Sequence, residues 1–181
     1  MPLFTAIGLM SGTSMDGVDV ALIETDGRNE VRQGPFLFRP YGAADRKLLR
    51  AALDEAVGLT DRQARPPAIL ACERMVTRRH GEAVERFLEQ NAIAAASIDV
   101  VGFHGQTVIH RPREGLTVQI GDGQGLAQVV RRGRAPARHG LDIAQLAQGA
   151  LRRRREPALL RQPGQDPEPP HPGRPQARRV H

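Results

Sequence analysis

Gly-Leu-Met-Ser-Gly-Thr-Ser-Met-Asp-Gly-Val-Asp, residues 8–19, joins two apolar, β-prone segments at residues 4–9 and 18–24. The first supplies Phe4, Ala6 and Ile7; the second alternates Val18, Val20 and Leu22 with Asp19, Ala21 and Ile23. A strand, a Gly/Ser/Thr loop and a returning strand predict a hairpin whose tip is dense in backbone N–H groups and short hydroxyls. Such a tip can wrap an anion, because consecutive N–H groups and the hydroxyls of Ser11, Thr13 and Ser14 donate to phosphate oxygens. Gly12 and Gly17 are expected to allow close approach and positive φ. Asp16 and Asp19 cannot donate to phosphate, but carboxylates there suit Mg²⁺, held directly or through water beside a polyphosphate. The run lacks the Gly-Lys-Ser/Thr ending of a Walker A loop, and for a generic Gly/Ser loop an ordinary polar hairpin turn is the better reading.

Working outward, the pattern is α/β. A third strand is expected at residues 34–39 after a turn at 26–29. Residues 43–57 read as an amphipathic helix with Leu48, Leu49, Ala52, Leu53 and Ala56 on one face. Pro66-Pro67 suits a helix start, since proline is tolerated in the first turn. That helix is predicted to run to about residue 91, with Ile69, Cys72, Val76, Ala83, Val84, Phe87 and Leu88 as its apolar face and His80 at its polar edge. Residues 99–103 form a short apolar strand of the kind buried on both faces. Residues 108–109 and 116–120 bracket a hairpin turn at 112–115, and a helix begins at Gly123 and passes through Leu126 and Val130.

The chain has 181 residues and a formal net charge of +6, from 26 basic and 20 acidic residues. Residues 128–181 hold 12 Arg and four acids, a balance of +8, which leaves 14 basic and 16 acidic residues in 1–127, a balance of −2. Eight of the 14 prolines also fall in that last stretch. The basic character therefore belongs to a tail with little apolar surface to bury, expected to be disordered in isolation. A nucleic-acid arm is disfavoured, because residues 128–181 contain no Tyr, Trp or Phe to stack bases. The single Cys72 excludes an internal disulfide and suits a reducing cytosol. The run at residues 1–10 is too short to span a membrane and has no basic n-region, so a cytoplasmic protein without a membrane partner is expected.

His104-Gly105-Gln106-Thr107 directly follows the predicted central strand, where α/β sheets place ligand-contacting residues. His104, Gln106 and Thr107 offer a switchable donor/acceptor, an amide and a hydroxyl, which suits a hydroxyl-rich sugar. Pattern alone favours reading His104 as a satisfied buried histidine, and reads His110-Arg111 as a solvated strand end pairing with Glu114. Neither histidine has partners at metal-ligand spacing, so a zinc site is not expected.

Residues 8–19 closely resemble the ATP-binding opening of the 1,6-anhydro-N-acetylmuramic acid kinases. Residues 98–112, Ile-Asp-Val-Val-Gly-Phe-His-Gly-Gln-Thr-Val-Ile-His-Arg-Pro, resemble the family's central motif, and residues 116–123, Leu-Thr-Val-Gln-Ile-Gly-Asp-Gly, follow at the family's spacing. The resemblance is good through about residue 127 and returns in islands at 142–150 and 158–166. Asp142-Ile143-Ala144 and Gln148-Gly149-Ala150 are similar to the family's Asp-x-Ala-x-Gly-Gly-x-Gly-Ala-Pro motif, with Leu146 and Ala147 in place of the paired glycines and the proline missing. Islands at preserved spacing, in Arg/Pro-rich text with Lys47 as the one lysine, point to reading-frame slips in a GC-rich gene.

The resemblance implies an actin-like ATPase (ribonuclease-H-like) N-terminal lobe at 1–127, a tail at 128–181, and no counterpart of the second lobe. It implies an ATP- and Mg²⁺-dependent cytoplasmic kinase that opens the anhydro ring of the sugar and phosphorylates O6, giving N-acetylmuramic acid 6-phosphate in cell-wall recycling. Gly12, Thr13, Ser14, Met15, Asp16, Gly17, Val18 and Asp19 then bind ATP, and Asp16 or Asp19 holds Mg²⁺. His104, Gln106 and Thr107 face the sugar, and Asp142 is the general base. The full-length family is compatible with a homodimer. Without the second lobe the chain is expected to be inactive; the rival reading is a non-catalytic nucleotide- or sugar-binding module.

Overall fold

The computed structural model describes residues 2–132. Four strands form one sheet in the order β3-β2-β1-β4. β1 (Phe4–Ser11), β2 (Gly17–Thr25) and β3 (Val31–Pro40) are an antiparallel meander, and β4 (Val100–Phe103) lies parallel to β1. The crossover from β3 to β4 carries α1 (Ala43–Ala56) and α2 (Pro67–Gln90). β5 (Gln106–Arg111) and β6 (Leu116–Ile120) make a separate hairpin, followed by α3 (Gly123–Arg132).

Alternation along the strands divides the sheet into two faces. Ile7 pairs with Leu22 and Leu9 with Val20, and these residues join Val18, Leu49, Ala52, Cys72, Val76, Val84 and Phe87 in the main core. The opposite face has a smaller cluster of Ala6, Ile23 and Val100. Pro35 and Gly34 sit where β3, an edge strand among the described residues, slips register against β2. A Cβ on Gly34 would lie 2.6 Å from the Leu22 side chain.

The helices form where the apolar period predicts them. On α1, Leu49, Ala52 and Ala56 are buried while Leu48 and Leu53 are half-buried. α2 starts at Pro67, and its exposed N–H groups are capped from α1: Glu55 Oε2 accepts from Ala68 N (2.8 Å) and Ile69 N (3.1 Å). A carboxylate at that end also complements the helix dipole. Burial pushes the Cys72 thiol, inside this core, up to about 11, with Glu73 adding to the effect.

Two expectations need correction. β4 is buried on alternate residues only, Val100 and Gly102, while Val101 and Phe103 are half-buried; among the described residues it is an edge strand. His80 is not at a polar edge but fully buried, because α2 is covered on that side by Phe103, whose ring meets the imidazole edge-on at 4.9 Å. The Arg111–Glu114 pair is as expected, at 3.4 Å.

Candidate functional site

Parallel pairing of β1 with β4 brings Leu9 beside Phe103, so both strands end at the same edge of the sheet. The tip at residues 12–16 and the His104-Gly105 turn therefore emerge together, at the carboxyl ends of the strands where α/β sheets bind ligands.

The tip is a tight turn closed by Met15 N donating to Gly12 O (3.1 Å). Thr13 and Ser14 are exposed at its apex, and Gly12, Met15 and Asp16 are half-buried. Ser14 Oγ donates to Asp16 Oδ1 (2.8 Å), and Asp16 O accepts from Tyr41 N (2.9 Å). The left-handed residue is Met15 (φ 52°), not Gly12 or Gly17 as expected. Gly17 is needed for close approach instead: a Cβ there would stand 2.3 Å from Arg39 O and 2.7 Å from the Phe38 ring. Gly17, Val18 and Asp19 are buried in β2, with Asp19 on the face opposite the helices, in register with Met10 and Phe38.

Gln106 joins the two loops. Its Oε1 accepts from Ser11 Oγ (2.5 Å), and its Nε2 donates to Gly12 O (3.4 Å) and Thr107 O (3.3 Å). Tyr41 Oη donates to Ser11 Oγ (3.0 Å). Burial pushes the Tyr41 phenol up to about 12, against the smaller opposing effect of the Ser11 bond, so it remains a neutral donor. The Ser11 hydroxyl is thus buried and bonded inside the chain, and Gln106, expected to face a sugar, is only 2% exposed and bonded to the loop. Both side chains lie beneath the tip because β1 and β5 meet there.

His104 and Thr107 are half-buried. His104 Nε2 lies 2.8 Å from Gln119 Nε2, which also donates to Thr107 Oγ1 (3.3 Å). Gly105 has φ 66°, and Gly121 (φ 146°) passes so close that its Cβ would lie 3.2 Å from Gly105 Cα. Gly121 N donates to Glu73 Oε1 (3.1 Å) and Asp122 N to Thr77 Oγ1 (2.9 Å), so α2 fixes the end of β6. Glu73 is itself paired with Arg65 at 3.0 Å. Tyr41 and Gln119 carry no motif spacing of their own; the one sequence cue to Gln119 is its place in the residue 116–123 run. Asp142 and the islands at 142–150 and 158–166 lie outside the described residues.

Among the described residues no three His, Cys, Asp or Glu side chains converge on a metal position. The oxygen donors at the tip, Asp16 with the Thr13 and Ser14 hydroxyls, are the hard ligands that suit Mg²⁺ shared with water and phosphate. Among the described residues no helix is long and apolar enough to cross a membrane.

The α/β domain thus gathers a Gly/Ser/Thr turn and a polar strand end at one sheet edge. The sequence matches the anhydro-N-acetylmuramic acid kinase family over residues 4–161, and the chain belongs to that family. It is 56% identical over 147 residues to anhydro-N-acetylmuramic acid kinase of Rhodopseudomonas palustris strain HaA2, covering 81% of this chain and 39% of the relative. The Bradyrhizobium diazoefficiens protein of the same name is 53% identical over 147 residues (81% and 39%), and that of Rhizobium etli 59% over 124 residues (68% and 34%). The chain thus spans about two fifths or less of the length of these relatives.

Proposed function

We propose that this chain carries the phosphate-loop lobe of an ATP-dependent sugar kinase of actin-like fold, acting on 1,6-anhydro-N-acetylmuramic acid. The observation that carries the reading is the Gln106 bridge between the residue 12–16 tip and the residue 104–107 motif at one sheet edge. It supports a nucleotide phosphate and a sugar held side by side. The meander followed by a helical crossover to a parallel strand is what a ribonuclease-H-like lobe requires.

The residues divide the work by exposure. Thr13 and Ser14 present hydroxyls and backbone N–H groups to phosphate oxygens, and Asp16 stands beside them as the Mg²⁺-side carboxylate. Bound Mg²⁺ supplies charge neutralisation at the transferring phosphoryl group. Asp19, inside β2, is the weaker of the two carboxylate candidates because it is fully buried. His104 and Thr107 orient the sugar, and Asp142 takes the proton from the water that opens the anhydro ring. The product is N-acetylmuramic acid 6-phosphate, which places the chain in cytoplasmic cell-wall recycling.

We further propose that the 181-residue chain alone binds without turning over. The relatives it matches are about twice as long as this chain, and a kinase cleft needs two walls to exclude water and align the γ-phosphate. The test is incubation of the purified chain with Mg-ATP and the anhydro-sugar, with mass spectrometry for the 6-phosphate. Product above a no-enzyme control, abolished by Asp142→Asn, refutes the claim of inactivity. Absence of both product and Mg-ATP binding by calorimetry refutes the phosphate-loop assignment.

A further inference from the structure

Thr107 and Gln119 are cross-strand partners on the β5–β6 hairpin. That register sets the Gln119 amide beside both the Thr107 hydroxyl and the His104 ring, which lies in the turn just before β5. Gln119 is exposed and His104 half-buried, so neither is held by the main core. The backbone beneath them is nevertheless rigidly defined. Gly105 is left-handed against Ile120 O, Gly121 N is held by Glu73, and Phe103 is wedged between His80 and Gly121.

An amide nitrogen only donates. The reverse amide orientation would turn Gln119 Oε1 towards His104 Nε2 and leave a bare Nδ1 facing Gly105 O at 3.3 Å, acceptor against acceptor; with Gln119 Nε2 donating to His104 Nε2 at 2.8 Å, the neutral ring carries its proton on Nδ1 and both ring nitrogens are satisfied. The second amide hydrogen goes to Thr107 Oγ1 at 3.3 Å, so both donors of Gln119 have acceptors. The Nδ1–H makes a long 3.3 Å contact with Gly105 O, its neighbour in sequence.

We propose that Gln119 is a positioning residue that holds His104 as the Nδ1–H tautomer, so that the imidazole enters the site as a hydrogen-bond donor and not as a proton acceptor. The ligand atom it suits is an acceptor oxygen, a hydroxyl or carboxylate of a sugar acid. Removing a proton from the ligand would first require breaking the Gln119 bond, which leaves general-base chemistry to another group. The significance for the sugar rests on the kinase reading above; the tautomer itself does not.

The experiment is long-range ¹H–¹⁵N imidazole spectroscopy on the ¹⁵N-labelled 181-residue chain, without nucleotide or sugar, above the ordinary histidine range of about 6.5. His104 is expected to show a bare Nε2 and a protonated Nδ1. Gln119→Met keeps the side-chain length and deletes the donor. In that variant the ratio of Nε2–H to Nδ1–H should rise about fivefold, equivalent to one hydrogen bond of about 1 kcal/mol. An Nε2–H ring in the parent chain overturns the proposal without any variant, and so does an unchanged ratio in Gln119→Met. Because no ligand is present, failure here leaves the kinase reading standing, and failure of Mg-ATP binding or of turnover leaves this result standing.

Discussion

Replacing Gly105 by Ala should damage the chain far more than the same change at Gly115, although both glycines are left-handed, with φ 66° and 65°. Forcing an alanine into that region costs about 1 kcal/mol at either site. At Gly115 nothing else is added, since no heavy atom lies within 4 Å of the new Cβ. At Gly105 the Cβ would stand 2.2 Å from Ile120 O, and ordinary contact begins at 3.4 Å, so the two backbones must separate by about 1.2 Å. Ile120 cannot yield easily, because it is 1% exposed in the main core and the next residue is tied to Glu73. Overpacking of this kind costs about 1–3 kcal/mol more. The expected losses are therefore about 1 kcal/mol for Gly115→Ala and about 2–4 kcal/mol for Gly105→Ala. With a urea dependence of about 1–3 kcal/mol per molar, the midpoints should be resolved by circular dichroism. Coincident midpoints, or a milder effect at Gly105, would refute the close crossing of the β4–β5 turn over the end of β6.

Three further outcomes are expected. Gln106→Leu leaves Ser11 Oγ without its acceptor and removes one of the two donors to Gly12 O, so stability should fall by about 1–3 kcal/mol and amide exchange at residues 12–16 should accelerate; protected tip amides would remove Gln106 from its supporting role. His80 is held well below the ordinary imidazole value, at about 4, by burial first, opposed by the Val76 carbonyl bond and aided by nearby His104. The unfolded chain then binds the proton more readily, so stability is fully present above about pH 6.5, falls as pH drops towards about 4, and loses up to about 3 kcal/mol. His80→Leu should flatten that part of the stability–pH curve, and an unchanged slope would assign it elsewhere. Asp16→Ala should weaken Mg-ATP binding measured by calorimetry while leaving the urea midpoint nearly unchanged; equal affinity in the variant would remove Asp16 from the metal side of the site.

Much of the fold was legible because strand and helix periods are local properties. The β1–β2 alternation, the apolar stripe of α2 and its start at Pro67 follow from neighbours two to four residues apart. The roles of polar residues were less legible, since they depend on what arrives from a distance. Ser11 reads as a phosphate donor until Gln106, 95 residues on, and Tyr41 close over it. Gly12 and Gly17 look like the flexible points of the tip, yet the turn takes its left-handed residue at Met15 and needs Gly17 for clearance from β3.

The sequence by itself determined the α/β class, the family and the two motif runs at residues 8–19 and 104–107, because each is written in a contiguous run of residues. Only the tertiary structure decided that the two segments share one edge of the sheet, that Gln106 bonds Ser11 and Gly12, and that Gln119 meets His104. Those facts arise from the parallel β1–β4 pairing and the crossing at Gly105 and Gly121. Pairing partners far apart in the chain are chosen by the burial of a whole face, so no local pattern encodes which polar groups they bring together.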